Sequence, residues 1–285
     1  MITSRIFGGL GNQLFQYAAG RAVALAGGDR LQLDARMPPR AKHFSYALDH
    51  FNVAAGPAMA TDLPPGKNQP LRYVFWRGLG LRPKILREKG LGFDASLLER
   101  RGDYYLHGYW QSEKYFKAIE SRLRDELTII TPPSEENARW LDDISNVPSV
   151  SVHVRRSDYL SSANGTGTYA TCDEAYYLAA LDTLAEKVGK DLVVFVFSDD
   201  PAWARENLRF AFETRYAGHN GMDKHYEDMR LIAACHHNII ANSTFSWWGG
   251  WLNANPEKQV VAPKKWFNST EQVNPDIIPE GWITL

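Results

Sequence analysis

Two successive arginines, Arg155 and Arg156, close the alternating run Val150, Val152, His153 and Val154. Adjacent guanidiniums cannot share one face of a strand. At a strand end they can diverge around a pyrophosphate, which arginine grips with a planar fork that lysine lacks. His153 and Arg155 fall on the polar side of the alternation. The competing reading is a surface pair, one arginine held by Asp158, with His153 a satisfied structural histidine. Phe197-Ser198-Asp199-Asp200-Pro201 ends another apolar run. Asp200 before a proline reads as a helix cap, and Asp199 is then a spare carboxylate able to accept two donors from a guanine edge. Asn242, Ser243, Thr244 and Phe245 follow a third run, where hydroxyls and a helix N-terminus can donate to an anion.

The fourth segment is Gly8-Gly9-Leu10-Gly11-Asn12-Gln13. Glycines let a backbone turn approach another group closely, and the helix start behind it suits a phosphate. Two other readings stay open there: a tight turn with no ligand, and a dinucleotide fingerprint with Asp34 as the ribose acid. The fingerprint needs a third glycine at position 14, where Leu14 stands. Trp247, Trp248 and Trp251 form either a packing face or a sugar platform, and Trp247 and Trp251 share a helical face that favours packing. Cys235-His236-His237 resembles metal ligands, but chain neighbours point apart and no second pair at ligand spacing exists. No Asp-x-Asp triplet occurs for a divalent ion, and no Gly-x-Ser-x-Gly elbow for a hydrolase. No metal and no cofactor are expected.

The elements that position these residues alternate. A strand from Ile2 leads through the glycine turn to a helix, with Asn12 as its cap and Gly27-Gly28 as its stop. Leu31 to Asp34 reads as a strand, and 38–102 is too rich in Pro and Gly to assign. Tyr104 to Trp110 reads as a strand and Glu113 to Leu127 as a helix. Pro132-Pro133 and Pro148 flank a short helix where a domain boundary is expected. Beyond it come a strand at Val150–Val154, a helix opened by a Thr171–Glu174 capping box, the strand Leu192–Phe197, a helix after Asp200 and a helix from Asp223 to Cys235. Strands at Asn238–Asn242 and Gln259–Ala262, with a helix from Ser243 between them, complete the pattern. Such alternation implies mostly parallel α/β sheets. The expected domains are 1–145 and 146–285, with the C-terminal tail returning to the first.

Composition narrows the function. The 285 residues carry 32 basic and 33 acidic side chains, a net charge of −1, which gives no global field for nucleic acid. A hydrophobic fraction of 44% and mean hydropathy of −0.37 exclude disorder. The longest clean apolar run, Leu192 to Phe197, is far short of the ~20 residues of a transmembrane helix. Two cysteines exclude a disulfide scaffold. With no signal-peptide core near the start, the expected compartment is the cytoplasm, free or peripheral at the inner membrane.

In this order the segments resemble the α-1,2-fucosyltransferases of glycosyltransferase family 11. The matching stretches are GGLGNQLFQYAAG at 8–20, GYWQSEKYF at 108–116, HVRRSDY at 153–159, FSDDP at 197–201 and IIANSTFSWWGGWL at 239–252. The resemblance implies a GT-B fold, two Rossmann-like domains facing across a cleft, the first on the acceptor side and the second binding a GDP-sugar. It implies inverting, metal-independent transfer of L-fucose from GDP-fucose to the 2-hydroxyl of a galactoside, in bacterial surface glycan synthesis. By that resemblance Arg155 contacts the β-phosphate, with Arg156 beside it, and His153 lies near the guanine. Asp199, with Asp200 next to it, pairs with the guanine edge. Asn242, Ser243, Thr244 and Phe245 line the pyrophosphate, and Gly9, Leu10, Gly11 and Asn12 face it from the first half. Asp158 or a phosphate oxygen takes the proton of the attacking hydroxyl. The rival classes are a nucleotide-dependent oxidoreductase using Asp34, and a non-catalytic glycan-binding protein using the tryptophans.

Overall fold

The computed structural model describes all residues except 37–44, 61, 66–68, 79–82, 157–171 and 269–272. The chain divides into two compact units, Met1–Thr128 and Ile129–Leu285.

In the first unit β1 (Ile2–Arg5), β2 (Leu31–Asp34), β3 (Gly56–Pro57), β4 (Lys84–Arg87) and β5 (Tyr104–His107) form one parallel sheet in the order β3-β2-β1-β5-β4. The helix Leu10–Gly27 carries the chain from β1 to β2 and stops at Gly28, whose φ of 66° is left-handed. Its cap is Gly9 rather than Asn12. Asn12 is instead the third helical residue, and its Oδ1 accepts a 2.8 Å bond from Gln111 Nε2. The region read as unassignable holds the helix Pro70–Gly78. The single helix expected over 113–127 is broken into 3-10 turns, Glu113–Tyr115 and Lys117–Ile119, before the helix Glu120–Glu126. The side chains of Tyr115 and Phe116 are buried there, and the Phe116 ring meets Phe15 at 6.1 Å. Packing of these aromatics overrides local helical preference.

The second unit contains β6 (Ser149–Val154), β7 (Val193–Ser198), β8 (Glu213–Tyr216), β9 (His237–Ile239), β10 (Val260–Ala262) and β11 (Ile283–Thr284). They too are parallel, in the order β11-β10-β9-β6-β7-β8. Residues 129–145 belong here, so the boundary falls at 128/129 instead of 145/146. The helix Glu135–Ser145 is the reason: its Trp140 ring packs against Phe195 at 5.7 Å and Phe197 at 6.4 Å. The C-terminal residues belong to the second unit, where β11 pairs with β10 at the edge of the sheet.

One face of the second sheet buries Val150, Val152 and Val154 against Tyr177, Leu181 and Leu184 of the helix Glu174–Val188. That helix is capped by Asp173, whose carboxylate accepts from Tyr176 N at 2.9 Å; Thr171, the expected cap, lies outside the described residues. The other face buries Phe195 and Phe197 against Leu231 and Ile232 of the helix His225–Ala234. No helix of the described residues is long and apolar enough to cross a membrane.

Candidate active site

The order of the second sheet sets the site. From β6 the chain crosses to β7 and β8 on one side, whereas β9, β10 and β11 lie on the other. The loops after β6 and β9 therefore diverge, and open α/β sheets take their ligands at such a switch point. Arg155 and Arg156 follow β6, Asp199 and Asp200 follow β7, and Asn242 to Phe245 follow the β9 edge. Segments separated by up to ninety residues in sequence thus end at the carboxyl edge of one sheet.

The two arginines diverge as their position demands. Arg155 Nε lies 3.4 Å from Asp199 Oδ2, while the Arg156 guanidinium sits over the Trp203 ring, 3.8 Å from its centroid. Asp199 is not spare, since its Oδ1 also accepts the Arg156 backbone N–H at 2.9 Å. It ties the strand end to the next loop. Asp200 caps the helix Pro201–Asn207, accepting from Trp203 N at 3.2 Å, with Pro201 at the first helical position. Trp203 is a residue that sequence reasoning missed; the signal was its place one turn into a helix that the capped Asp-Pro pair had already announced.

His153 departs from the expected polar side of a strand. Side chains pack on both faces of the second sheet, and His153 is buried. Its ring meets Phe245 at 5.4 Å, its Nδ1 has no hydrogen-bond partner among the described residues, and its carbonyl accepts from the Tyr177 hydroxyl at 3.3 Å. Tyr177 is a second residue the sequence did not flag. Burial, reinforced by the Arg155 charge, pushes the imidazole pKa down to about 3 from its ordinary 6.5. The unfolded chain takes up that proton first. This histidine's contribution to stability is therefore complete above pH 6.5 and is lost as pH falls toward 3. His153→Gln is expected to flatten the acid limb by one proton, about 1.4 kcal/mol per pH unit, in urea unfolding between about pH 4 and about pH 6. Parallel limbs for the two proteins would mean that His153 protonates in the native state.

Asn242 is buried, its amide donating to Trp266 O at 3.0 Å. Cys172 Sγ lies 3.9 Å from Asn242 Oδ1, and burial pushes that thiol up to about 11. Ser243 caps the helix Thr244–Leu252 by position alone, with no side-chain hydrogen bond to the helix. Helix geometry leaves the first-turn N–H groups without intrahelical partners, and the positive end of the dipole lies there. Asp158 lies outside the described residues.

The N-terminal turn is built by its own side chains. Gly8 has a φ of 78°, and a Cβ on it would lie 2.9 Å from Asn12 Nδ2. Gln13 donates to Gly8 O at 2.9 Å and Ser45 O at 2.7 Å and accepts from Ala47 N at 3.0 Å. Gln16 Oε1 accepts from Phe7 N at 2.9 Å. Gly9, Leu10 and Gly11 run from the cap into the first helical turn.

Asp34, the acid an oxidoreductase would use, is buried and already ligated. It accepts from Arg36 Nε and Nη2, each at 2.8 Å, and from the Tyr105 hydroxyl at 2.6 Å, with Arg5 Nη1 at 3.1 Å. Burial alone would raise its pKa, but these donors outweigh it and hold the carboxyl below its ordinary value. It is a structural carboxylate. The Cys235-His236-His237 run is likewise occupied: Sγ donates to Leu231 O, His236 Nδ1 pairs with Ser149 Oγ at 2.8 Å, and His237 Nδ1 accepts from Gln259 N at 3.1 Å.

The family model described as Glycosyl transferase family 11 matches residues 87–285, well over half of the chain. An "Alpha-1,2-colitosyltransferase" of Escherichia coli is 32% identical, covering 100% of this chain and 99% of its own. A "Galactoside alpha-(1,2)-fucosyltransferase 2" of Bos taurus is 27% identical, covering 88% of this chain and 69% of its own. The structure of an Arabidopsis thaliana FUT1 mutant in complex with GDP superposes with a TM-score of 0.51 at 13% identity, covering 91% of this chain and 69% of that one. That likeness is one of fold, and with the two parallel-sheet units it identifies the GT-B class. The chain belongs to glycosyl transferase family 11 and is a glycosyltransferase.

Proposed function

We propose that this glycosyltransferase moves L-fucose, with inversion and without a metal, from GDP-fucose to the 2-hydroxyl of a galactoside. The observation that carries the reading is the convergence of Arg155 with the N-terminus of the helix Thr244–Leu252 at one sheet edge. As the bond to the anomeric carbon lengthens, negative charge grows on the departing β-phosphate. A fixed guanidinium and a helix dipole aimed at that oxygen stabilise the charge. The guanine stacks near His153 and Phe245, and its edge donates to Asp199, a carboxylate being an acceptor for such paired donors. Arg156 steadies the second phosphate. Asp158 or a phosphate oxygen accepts the proton of the attacking hydroxyl. The reading implies the cytoplasm, where nucleotide sugars are made, and a surface glycan as the product.

One observation favours a second donor. The 32% identical relative bears the name of a colitosyltransferase, and colitose is fucose without its 3-hydroxyl. A site that hydrogen-bonds that hydroxyl rejects the deoxy donor by about 10⁴ or more, whereas one that ignores it discriminates little.

The test is GDP release from GDP-fucose with lactose present, repeated with EDTA and with GDP-colitose. Lactose-dependent release that survives EDTA is the expected result. Release from GDP-colitose alone would reassign the donor. Release abolished by EDTA would overturn the metal-free mechanism, and no binding of GDP in calorimetry would overturn the whole reading.

A further inference from the structure

The segment Gly108 to Ser112 takes no part in the site described above, although it sits at a switch point of its own. In the first sheet the chain leaves β1 toward β2 and β3, while β5 and β4 occupy the other side. The loops after β1 and β5 diverge there. A 2.8 Å bond between Gln111 Nε2 and Asn12 Oδ1 joins them.

The turn after β5 is strained and held. Trp110 has a φ of 56°, and among the described residues it alone combines a positive φ with a side chain. For a bulky residue that conformation persists only where the surroundings impose it, and such residues cluster at functional sites. Glu88, next after β4, imposes it: its two carboxylate oxygens accept from Tyr109 N at 2.6 Å and Trp110 N at 2.9 Å. Gly108 leaves no room for alternatives, since a Cβ there would lie 2.5 Å from Glu88 Cβ and 2.8 Å from Trp110 Cε2. The strain is also why β5 ends at His107 and not at Trp110. Its consequence is a division of labour. Trp110 turns inward, buried edge-on to Tyr115 at 5.8 Å. Tyr109 is turned outward, 38% exposed, its ring 5.0 Å from that of Phe7, which in turn lies 5.5 Å from His107.

An exposed aromatic with polar neighbours, at the carboxyl edge of an α/β sheet, is the chemistry that takes a sugar ring. A galactopyranoside carries H3, H4 and H5 on one face because its 4-hydroxyl is axial, and that apolar face suits an aromatic ring. We propose that Tyr109, backed by Phe7, is the platform on which the acceptor galactoside lies, and that Glu88 is the positioning residue that holds it. The inference rests on the galactoside acceptor of the proposed function and assigns it a subsite.

Saturation-transfer NMR on the full chain with methyl β-galactoside tests it without requiring transfer. The wild type is expected to saturate H3, H4 and H5 most strongly, Tyr109→Phe to keep that pattern, and Tyr109→Ala to lose it. Glu88→Gln, which replaces one acceptor oxygen by an amide NH2, is expected to weaken it. In transfer assays the acceptor KM of Tyr109→Ala should rise about tenfold while GDP affinity by calorimetry is unchanged. No saturation in the wild type, or an unchanged pattern in Tyr109→Ala, would overturn the platform. Transfer with an unaltered acceptor KM in that variant would overturn it too, and leave fucosyl transfer standing. Loss of the pattern in a protein that uses no GDP-sugar would support the platform and remove the donor reading instead.

Discussion

Arg155→Ala is expected to lower turnover by about two to three orders of magnitude, the loss found when one preorganised donor to a developing oxyanion is removed. The residue directly follows β6, whose last residue, Val154, pairs with Ser198 of β7. Its contact with Asp199 is one-quarter exposed on the arginine side, and an ion pair of that kind contributes about 0–1 kcal/mol to stability. The fold should therefore survive the substitution, and Asp199 keeps the Arg156 backbone N–H. Arg155→Lys retains the charge but not the fork, and is expected to fall between the two. Single-turnover kinetics with GDP-fucose give the number, and thermal unfolding checks the fold. Turnover within about fivefold of wild type, in a folded protein, would sink the assignment of charge stabilisation to Arg155.

Trp247→Ala is expected to cost about 3–5 kcal/mol of stability, the usual range for removing a fully buried tryptophan. The side chain is completely buried. Its ring meets Trp248 at 5.0 Å, Trp251 at 6.4 Å and Trp282 at 5.5 Å, and its Nε1 donates to Ile277 O at 2.6 Å. Trp247→Phe keeps most of the apolar contact and loses the hydrogen bond, so it should cost clearly less. Urea unfolding at neutral pH reads both. A destabilisation under about 1 kcal/mol for the alanine variant would return the tryptophan cluster to the sugar-platform reading. The expected result removes that cluster from the glycan-binding rival, because rings that are 0–4% exposed cannot stack on a ligand.

The legible parts of this molecule are those with a local cause. A period-two run marks β6 and a continuous apolar run marks β7, and the Asp200-Pro201 pair marks a helix start that the structure reproduces. Gly28 stops the first helix where a left-handed residue is needed. The chemistry-bearing residues Arg155, Arg156, Asp199, Ser243 and Thr244 declared themselves by following predicted strands, since topology alone brings strand ends to one edge.

What went wrong locally has a common form. Asn12 looked like a cap, but Gln111, ninety-nine positions away, takes its side chain. Helix 113–127 looked continuous, but burial of Phe116 against Phe15 breaks it. His153 looked like the solvent side of an alternating strand, yet both faces of the sheet are packed and Phe245 meets its ring. The boundary moved to 128/129 because Trp140 packs on Phe195. By itself the sequence determined the alternation of strands and helices, the turns and caps, and which residue types stand after which strand, because each depends on neighbours within a few positions. Only the tertiary structure decided that Asp199 is shared by two arginines, that Asp34 is consumed by its ligands, that the tryptophans are core, and that Glu88 bends the chain at Trp110. Those outcomes depend on which groups burial forces together across the chain, and no local pattern encodes that.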